Sequence, residues 1–316
     1  MFKGILLSIM ASITFGALYF YTEFLGDFDS QQVFGWRIIA TLPFLTLLMY
    51  FTAELNLIRE IWLRIRRKPI LFLALLLTSA MSALQLWLFL WGPIHGRGLQ
   101  VSLGYFLLPL VLVLSGCVFY KEKLSKFQML AVACALLGVG HEFWRQGSIA
   151  WETMVVAVGY SLYFLIRKTL KTDHLGGFWW DVLLCLPVAV YFVQTGIDPF
   201  GVIAQNPILV LVLAGLGLLS AIGLGSYLLA SRYLPLVLFG LLSYLEPVLL
   251  ALVALMLGES IAAEEWWTYI PIWTAVFVLV LEGAWHLLSQ QYKIQTLKLN
   301  QKRMQQRINA KENSET

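Results

Sequence analysis

Ten apolar stretches, each about 20 residues long and therefore able to cross a bilayer as a helix, occupy most of this chain. Of its 316 residues, 59% are hydrophobic and 13% are charged. A soluble domain is about 45–50% apolar and about 25% charged, because its surface stays polar. The sequence therefore predicts an all-α integral membrane protein. The predicted spans are 3–22, 33–53, 70–91, 99–120, 126–144, 151–170, 176–195, 207–230, 234–257 and 267–288.

The positive charges predict the orientation of these spans. If the N-terminus is cytoplasmic, all but three of the 22 Lys and Arg residues lie in cytoplasmic segments; the exceptions are Arg37, Arg97 and Arg145. Cytoplasmic loops of membrane proteins carry such an excess. We therefore expect a multi-pass protein of the cell inner membrane with both termini in the cytoplasm and a basic cytoplasmic tail at 290–316. The net charge of +4 is small and gives no indication of nucleic-acid binding.

A short pattern occurs twice, in the fourth and ninth predicted spans. An aromatic residue, a proline, an apolar run and a glutamate follow one another from Tyr105 to Glu122 and again from Tyr244 to Glu259. The copies lie five spans apart, which is an odd number, so they cross the membrane in opposite directions. Inverted repeats are typical of secondary transporters and place the substrate site between the halves. We predict two inverted five-helix repeats, 1–145 and 150–289, with helix kinks at Pro109 and Pro247.

The sequence offers no motif for catalysis or nucleotide binding. H-E-x-x-H, G-x-S-x-G and Gly-rich phosphate loops are missing, and the three cysteines and four histidines lack metal-ligand spacing. We therefore predict neither an enzyme nor a metal or cofactor site. A non-transporting receptor, scaffold or lipid-handling protein is the alternative to a transporter, and the repeat argues against it. The oligomeric state stays open, a homodimer included.

Polar residues deep in the spans indicate where a small-molecule substrate binds, since a charge at a span centre costs about 2.5–3.5 kcal/mol. Glu246 lies near the middle of its span, and Arg37, Gln85 and Tyr105 lie in the central-to-outer half of theirs. We expect these four residues around one polar cavity with aromatic walls. The candidate substrate-binding residues are Glu246, Arg37, Gln85, Tyr105, Tyr244, Trp87 and Trp91.

Two roles for Glu246 stay open at this point. Its carboxylate either pairs with a cationic group of the substrate or takes up a proton, which would allow proton-coupled transport. A purely structural role, in which Glu246 pairs with Arg37 or bonds a broken helix next to Pro247, is the alternative. Arg37 itself lies about four residues inside its span, so that its side chain can extend either outward to the interface or inward to the cavity.

The stretch from Gln100 to Phe106, Q-V-S-L-G-Y-F, followed by Pro109, resembles the S-L-G-Y-F-x-x-P motif of the RarD branch of the EamA-type transporters, within the drug/metabolite transporter superfamily. Arg37, Trp91 and Arg167 with the following lysine match the family as well, and the resemblance covers nearly all ten spans. It implies an inner-membrane carrier that exports small metabolites or drugs by alternating access. Glu246 departs from the family, which commonly has a small or neutral residue at this position.

Overall fold

The computed structural model describes residues 2–120, 125–146, 149–196, 198–234, 242–282 and 285, and every regular element among them is helical. The tail at 290–316 and Glu122 lie outside the described residues. The helices are α1 (Phe2–Phe20), α2 (Ser30–Phe51), α3 (Asn56–Arg67), α4 (Ile70–Ile94), α5 (Gly98–Tyr120), α6 (Lys126–Gln146), α7 (Trp151–Met154), α8 (Tyr160–Leu170), α9 (Leu175–Thr195), α10 (Pro199–Gln205), α11 (Ile208–Tyr233), α12 (Leu245–Met256) and α13 (Trp266–Glu282). A 3-10 turn (Tyr21–Leu25) follows α1, and a π-helical turn (Val155–Gly159) joins α7 to α8.

Helices occupy the positions of the predicted spans. Six of the described helices, α1, α2, α4, α6, α9 and α11, are long and apolar enough to cross a membrane. The described apolar parts of α5, α12 and α13 are shorter, and the sixth predicted span corresponds to α7, the π turn and α8 together. The chain is thus a multi-pass helical membrane protein, whereas ten spans in two inverted repeats stay a prediction.

The basic segment between Glu54 and Pro69 connects α2 to α4. It contains the amphipathic helix α3, whose Ile61 and Ile65 are buried one turn apart. Arg64 donates hydrogen bonds to the carbonyl oxygens of Leu170 and Lys171, at the end of α8. A helix forms here because two apolar residues four apart share one face, although the segment is polar overall.

Helices from the two predicted halves pack against one another in a reciprocal pattern. The first helix of the first half, α1, contacts α11 and α12 of the second half. The first helical segment of the second half consists of α7, the π turn and α8, and all three parts contact α5 of the first half. The π turn and α8 also contact α4. In the same way α2 contacts α9 and α11, while α9 contacts α2 and α4. The interior of the bundle is therefore built from both halves of the chain.

Small residues allow α11 to approach α2 closely. A Cβ atom on Gly217 would lie 2.5 Å from the Cβ, carbonyl carbon and carbonyl oxygen of Ala40, and one on Gly225 would lie 2.1 Å from Leu48 Cδ2. Gly217, Ala221 and Gly225 are spaced four apart and so share one face of the helix. Close packing of this kind stabilises helix pairs in lipid.

We expect Gly217→Ala to lower the free energy of unfolding by about 1–3 kcal/mol, because the added methyl group meets backbone atoms that cannot rotate away. Thermal unfolding in detergent measures the effect. Gly140→Ala is the matched control, since a Cβ atom there meets nothing within 4 Å and alanine favours a helix by about 1 kcal/mol. Equal stability of Gly217→Ala and the unmodified protein would contradict this packing.

Candidate functional site

A polar cavity lies at mid-depth in the bundle, between helices of both halves. Its walls come from α1, α2, α4, α5, α8, α11 and α12. Arg37, Gln85, Tyr105 and Glu246, the four residues expected around one cavity, all line it. The other lining residues are Phe15, Leu86, Phe89, Leu108, Tyr160, Phe164, Leu224 and Tyr227.

Arg37 points into the bundle, and its side chain is not at the interface. Only 2% of the residue is exposed. Its Nε donates a hydrogen bond to Ser220 Oγ (3.0 Å), and its Nη1 donates to the carbonyl oxygen of Leu86 (2.8 Å). The guanidinium also lies 5.2 Å from the centre of the Phe89 ring, a cation–π distance. Among the described residues no carboxylate forms an ion pair with it.

Gln85 is held by the π turn on the neighbouring helix. Its Nε2 donates a hydrogen bond to the carbonyl oxygen of Val155 (2.8 Å), the first residue of that turn. Its Oε1 is buried and has no partner among the described residues. π-helical turns leave backbone groups out of the regular pattern and are frequent at functional sites. Gln85 thus brings an unpaired hydrogen-bond acceptor to the cavity wall.

Glu246 is the second residue of α12 and reaches the cavity from the second half of the chain. No ion pair joins it to Arg37 in the described structure, so the structural pairing considered from the sequence is not observed. A carboxylate and a guanidinium therefore face the same cavity without neutralising each other directly. Such an arrangement is costly in a membrane interior and leaves both charges available to a ligand.

Aromatic side chains complete the walls, and two of the tyrosines had not been identified from the sequence. Tyr105 contacts Phe89 and Tyr160, with ring centroids 6.1 and 6.3 Å apart. Tyr160 and Tyr227 line the cavity as well. Tyr160 is at the centre of the predicted span 151–170, so depth alone was a signal for it, whereas Tyr227 lies close to the end of the predicted span 207–230.

Three expected wall residues lie elsewhere, which corrects the sequence-based grouping. Tyr244 lines an apolar groove between α5, α12 and α13, Trp87 lines a groove between α2, α4 and α9, and Trp91 packs on His95 and Trp151. Tyr244 and Glu246 are two residues apart, as are Gln85 and Trp87. Two residues correspond to about 200° around a helix, so the two members of each pair face opposite sides of their helix.

The two prolines expected at kinks lie in different settings. The backbone of α5 stays helical through Pro109, whose side chain is outside the described part. Pro247 is the third residue of α12, directly after a turn at Tyr244 that separates α12 from the helical residues 242–243. Proline has no N–H to donate to the carbonyl four residues earlier, which favours a helix break at this place.

A second polar cluster lies on α9, centred on Asp181. This residue is only 1% exposed. Its carboxylate accepts hydrogen bonds from Thr78 Oγ1 (2.9 Å) and Tyr163 Oη (2.8 Å), and Arg167 Nη1 lies 3.4 Å away. A carboxylate with three such partners is well compensated for burial. Among the described residues, no group of three or more His, Cys, Asp and Glu could hold a metal ion.

Comparisons with known proteins show the family of this chain. Residues 2–140 match the EamA-like transporter family. The chain is 44% identical over 283 residues to the chloramphenicol-sensitive protein RarD of Pseudomonas aeruginosa, covering 89% of this chain and 95% of that protein. The chain belongs to the RarD branch of the EamA transporter superfamily. It is also 39% identical to an uncharacterized transporter of Pasteurella multocida (93% and 100% covered) and 28% identical to protein RarD of Salmonella typhimurium (89% and 95%). No solved structure matches the chain.

The cavity of this EamA-family chain is narrow in the conformation described. Its volume is about 50 Å³, which holds a few water molecules, whereas pockets for organic ligands measure about 300–1,000 Å³. A second cavity of about 60 Å³ shares Tyr160, Phe164, Leu224 and Tyr227 with it and continues toward Arg167 and His174. Binding of a metabolite would therefore require the surrounding helices to separate.

Proposed function

We propose that this membrane transporter is a secondary carrier that exports small organic metabolites or drugs across the inner membrane by alternating access. The observation that carries the proposal is the central cavity, where Arg37 and Gln85 from the first half meet Glu246 from the second. A buried guanidinium and a carboxylate without an ion pair between them are costly in lipid, and a receptor or scaffold has no need of them.

The reciprocal packing of the two halves supports an inverted repeat of five and five helices. Contacts of α1 with α11 and α12 correspond to contacts of the α7–π–α8 segment with α4 and α5. A carrier built this way opens alternately on either side when one half rocks against the other. The excess of Lys and Arg in one set of loops supports cytoplasmic termini.

The cavity also indicates a substrate class. Glu246 is suited to a basic nitrogen or to a proton, and rings of Phe15, Phe89 and Tyr160 around it favour an organic cation or an aromatic body. We propose that Glu246 exchanges a proton against the substrate, so that export is driven by the proton gradient. The name of the Pseudomonas aeruginosa relative makes chloramphenicol one compound to test.

Efflux from proteoliposomes tests this function. Vesicles with the purified protein are loaded with a panel of amines, amino acids, aromatic metabolites and chloramphenicol, with and without a pH gradient. We expect at least one compound to leave faster than from protein-free vesicles and the gradient to change its rate. If no compound moves faster than in protein-free vesicles, the transporter assignment for this chain loses its support.

A further inference from the structure

The glutamate that ends the second copy of the sequence pattern, Glu259, is not part of the cavity. Its position follows from Gly258, which has a φ of +94°, a conformation that favours glycine. Gly258 N–H bonds to the Leu255 carbonyl (3.1 Å), and Glu259 N–H bonds to the Ala254 carbonyl (3.1 Å). These two bonds end α12 in a Schellman-type turn and direct the Glu259 side chain toward the start of α5.

The Glu259 carboxylate reaches the first turn of α5. It accepts hydrogen bonds from the backbone N–H of Gly98 (2.6 Å) and of Leu99 (2.9 Å). The first N–H groups of a helix have no partner within the helix, and the partial positive charge there favours an anion. We call this contact the Glu259 cap. A Cβ atom at Gly98 would lie 2.6 Å from Glu259 Oε1, so a larger residue there would displace the carboxylate from the cap.

The residue before Gly98 makes a second connection to the other half. Arg97 Nε donates to Glu152 Oε1 (2.7 Å), and Arg97 Nη2 donates to Glu152 Oε2 (3.2 Å). Glu152, on α7, is only 1% exposed, whereas 40% of the Arg97 side chain is exposed, so only the carboxylate of this two-point pair is buried. Two consecutive residues of the first half are thereby joined to α12 and to α7, both in the second half.

Below these contacts the end of the bundle is tightly packed. Tyr19 Oη donates to the Gly98 carbonyl (2.9 Å). Tyr19, Leu99, Val101 and Ala254 are at most 2% exposed, and the Tyr19 ring also contacts Phe89 of the cavity wall, with 5.1 Å between the ring centroids. In the opposite direction the cavity continues toward Arg167. The way from the cavity out of the bundle is therefore closed at the end where α5 begins, which the proposed orientation places on the outer side of the membrane.

We propose that Glu259 is a positioning residue for transport: its carboxylate holds the outer end closed by joining α12 to the first turn of α5, and the cap separates when that end opens. The inference rests on the proposed function for its place in a transport cycle, but the closure itself is a property of the structure. Without the carboxylate, two N–H groups of α5 lose their partner in the closed state and regain water in the open state.

Thiol labelling tests the cap. Cys117, Cys134 and Cys185 are replaced by Ser, and Ser102→Cys adds a probe of similar size at a fully buried position of α5. A membrane-impermeant thiol reagent is then applied from the outer side. We expect slow labelling with Glu259 present and labelling faster by about tenfold or more in Glu259→Ala, whereas Glu259→Gln should label nearly as slowly as the parent because it keeps an acceptor oxygen without the cost of burying a charge.

Glu264→Ala is the matched control, because Glu264 is an exposed carboxylate five residues further along; it should leave labelling unchanged. Size-exclusion profiles confirm folding of each variant. If a folded Glu259→Ala protein labels as slowly as the parent, the cap does not hold this end closed. Rapid labelling of Glu259→Ala in a protein that transports no compound of the panel would support the cap and contradict the proposed function.

The cap should also respond to pH. Burial raises the pKa of Glu259, and the Leu99 and Gly98 N–H groups and Arg97 oppose this rise; Tyr19 and Tyr269 also interact with the carboxyl. Arg97 is in turn paired with Glu152. Because the pKa of the Glu259 carboxyl is raised in the closed state, this state binds a proton more tightly than an open state in which the carboxyl is in water. Acid therefore favours closure.

The labelling rate of Ser102→Cys, divided by the labelling rate of the same probe in Glu259→Ala, should therefore fall as the outer pH falls through the pKa of Glu259. This ratio should rise again as the pH rises. The ratio removes the pH dependence of the thiol itself. A ratio that stays constant, or rises in acid, would contradict the role of Glu259 in this response. Transport with Glu259→Ala should change mainly in maximal rate, because the cavity residues are untouched.

Discussion

Replacing Glu246 by Gln is expected to lower the rate of substrate efflux by about 10–100-fold, which corresponds to the loss of one hydrogen bond to a charged group. Glutamine has nearly the same size but can neither hold a cation by charge nor exchange a proton. Because no other carboxylate lines the cavity among the described residues, no neighbour replaces it. The remaining flux should also lose its dependence on the pH gradient.

Efflux from proteoliposomes at several internal and external pH values measures both effects. Glu282→Gln is the matched control, since Glu282 lies in α13 and does not line the cavity. Thermal unfolding separates loss of function from misfolding: Glu246→Gln removes a costly intramembrane charge and should unfold at the same temperature as the parent or higher. Unchanged rate and unchanged pH dependence would remove Glu246 from the mechanism.

Replacing Asp181 by Leu is expected to lower the free energy of unfolding by about 3–5 kcal/mol, because it leaves the buried Arg167 guanidinium without its counter-ion. Arg167 is 2% exposed, and its Nη1 lies 3.4 Å from Asp181 Oδ1. Tyr163 and Thr78 lose an acceptor in the same substitution. Unfolding in detergent, followed by tryptophan fluorescence, measures the change.

The double variant Asp181→Leu with Arg167→Met provides the test of the cause. Removing both charges leaves no buried ion, and apolar replacements of such pairs are often tolerated. We therefore expect the double variant to be more stable than Asp181→Leu alone, although it has one substitution more. If the stability losses of Asp181→Leu and Arg167→Met simply add in the double variant, the ion pair is not what stabilises this region.

The depth of each side chain in the membrane could be predicted from the sequence alone. Counting along a span gives the height of each side chain, because every helical residue advances about 1.5 Å. For this reason Glu246, Arg37, Gln85 and Tyr105 could be expected in the central-to-outer half of the bundle, and the structure brings them into one cavity. The family could be recognised from the motif that contains Tyr105, and the matched relatives confirm it.

The direction in which each side chain points around its helix was decided by the tertiary structure. Apolar residues surround these spans on all sides, so that periodicity does not distinguish the lipid-facing side from the protein-facing side. Tyr244, Trp87 and Trp91 have suitable depth but face away from the cavity, and Asp181 is paired inside the bundle. Contacts such as Glu259 with α5 join residues about 160 positions apart, and only the packing of one half on the other brings them together.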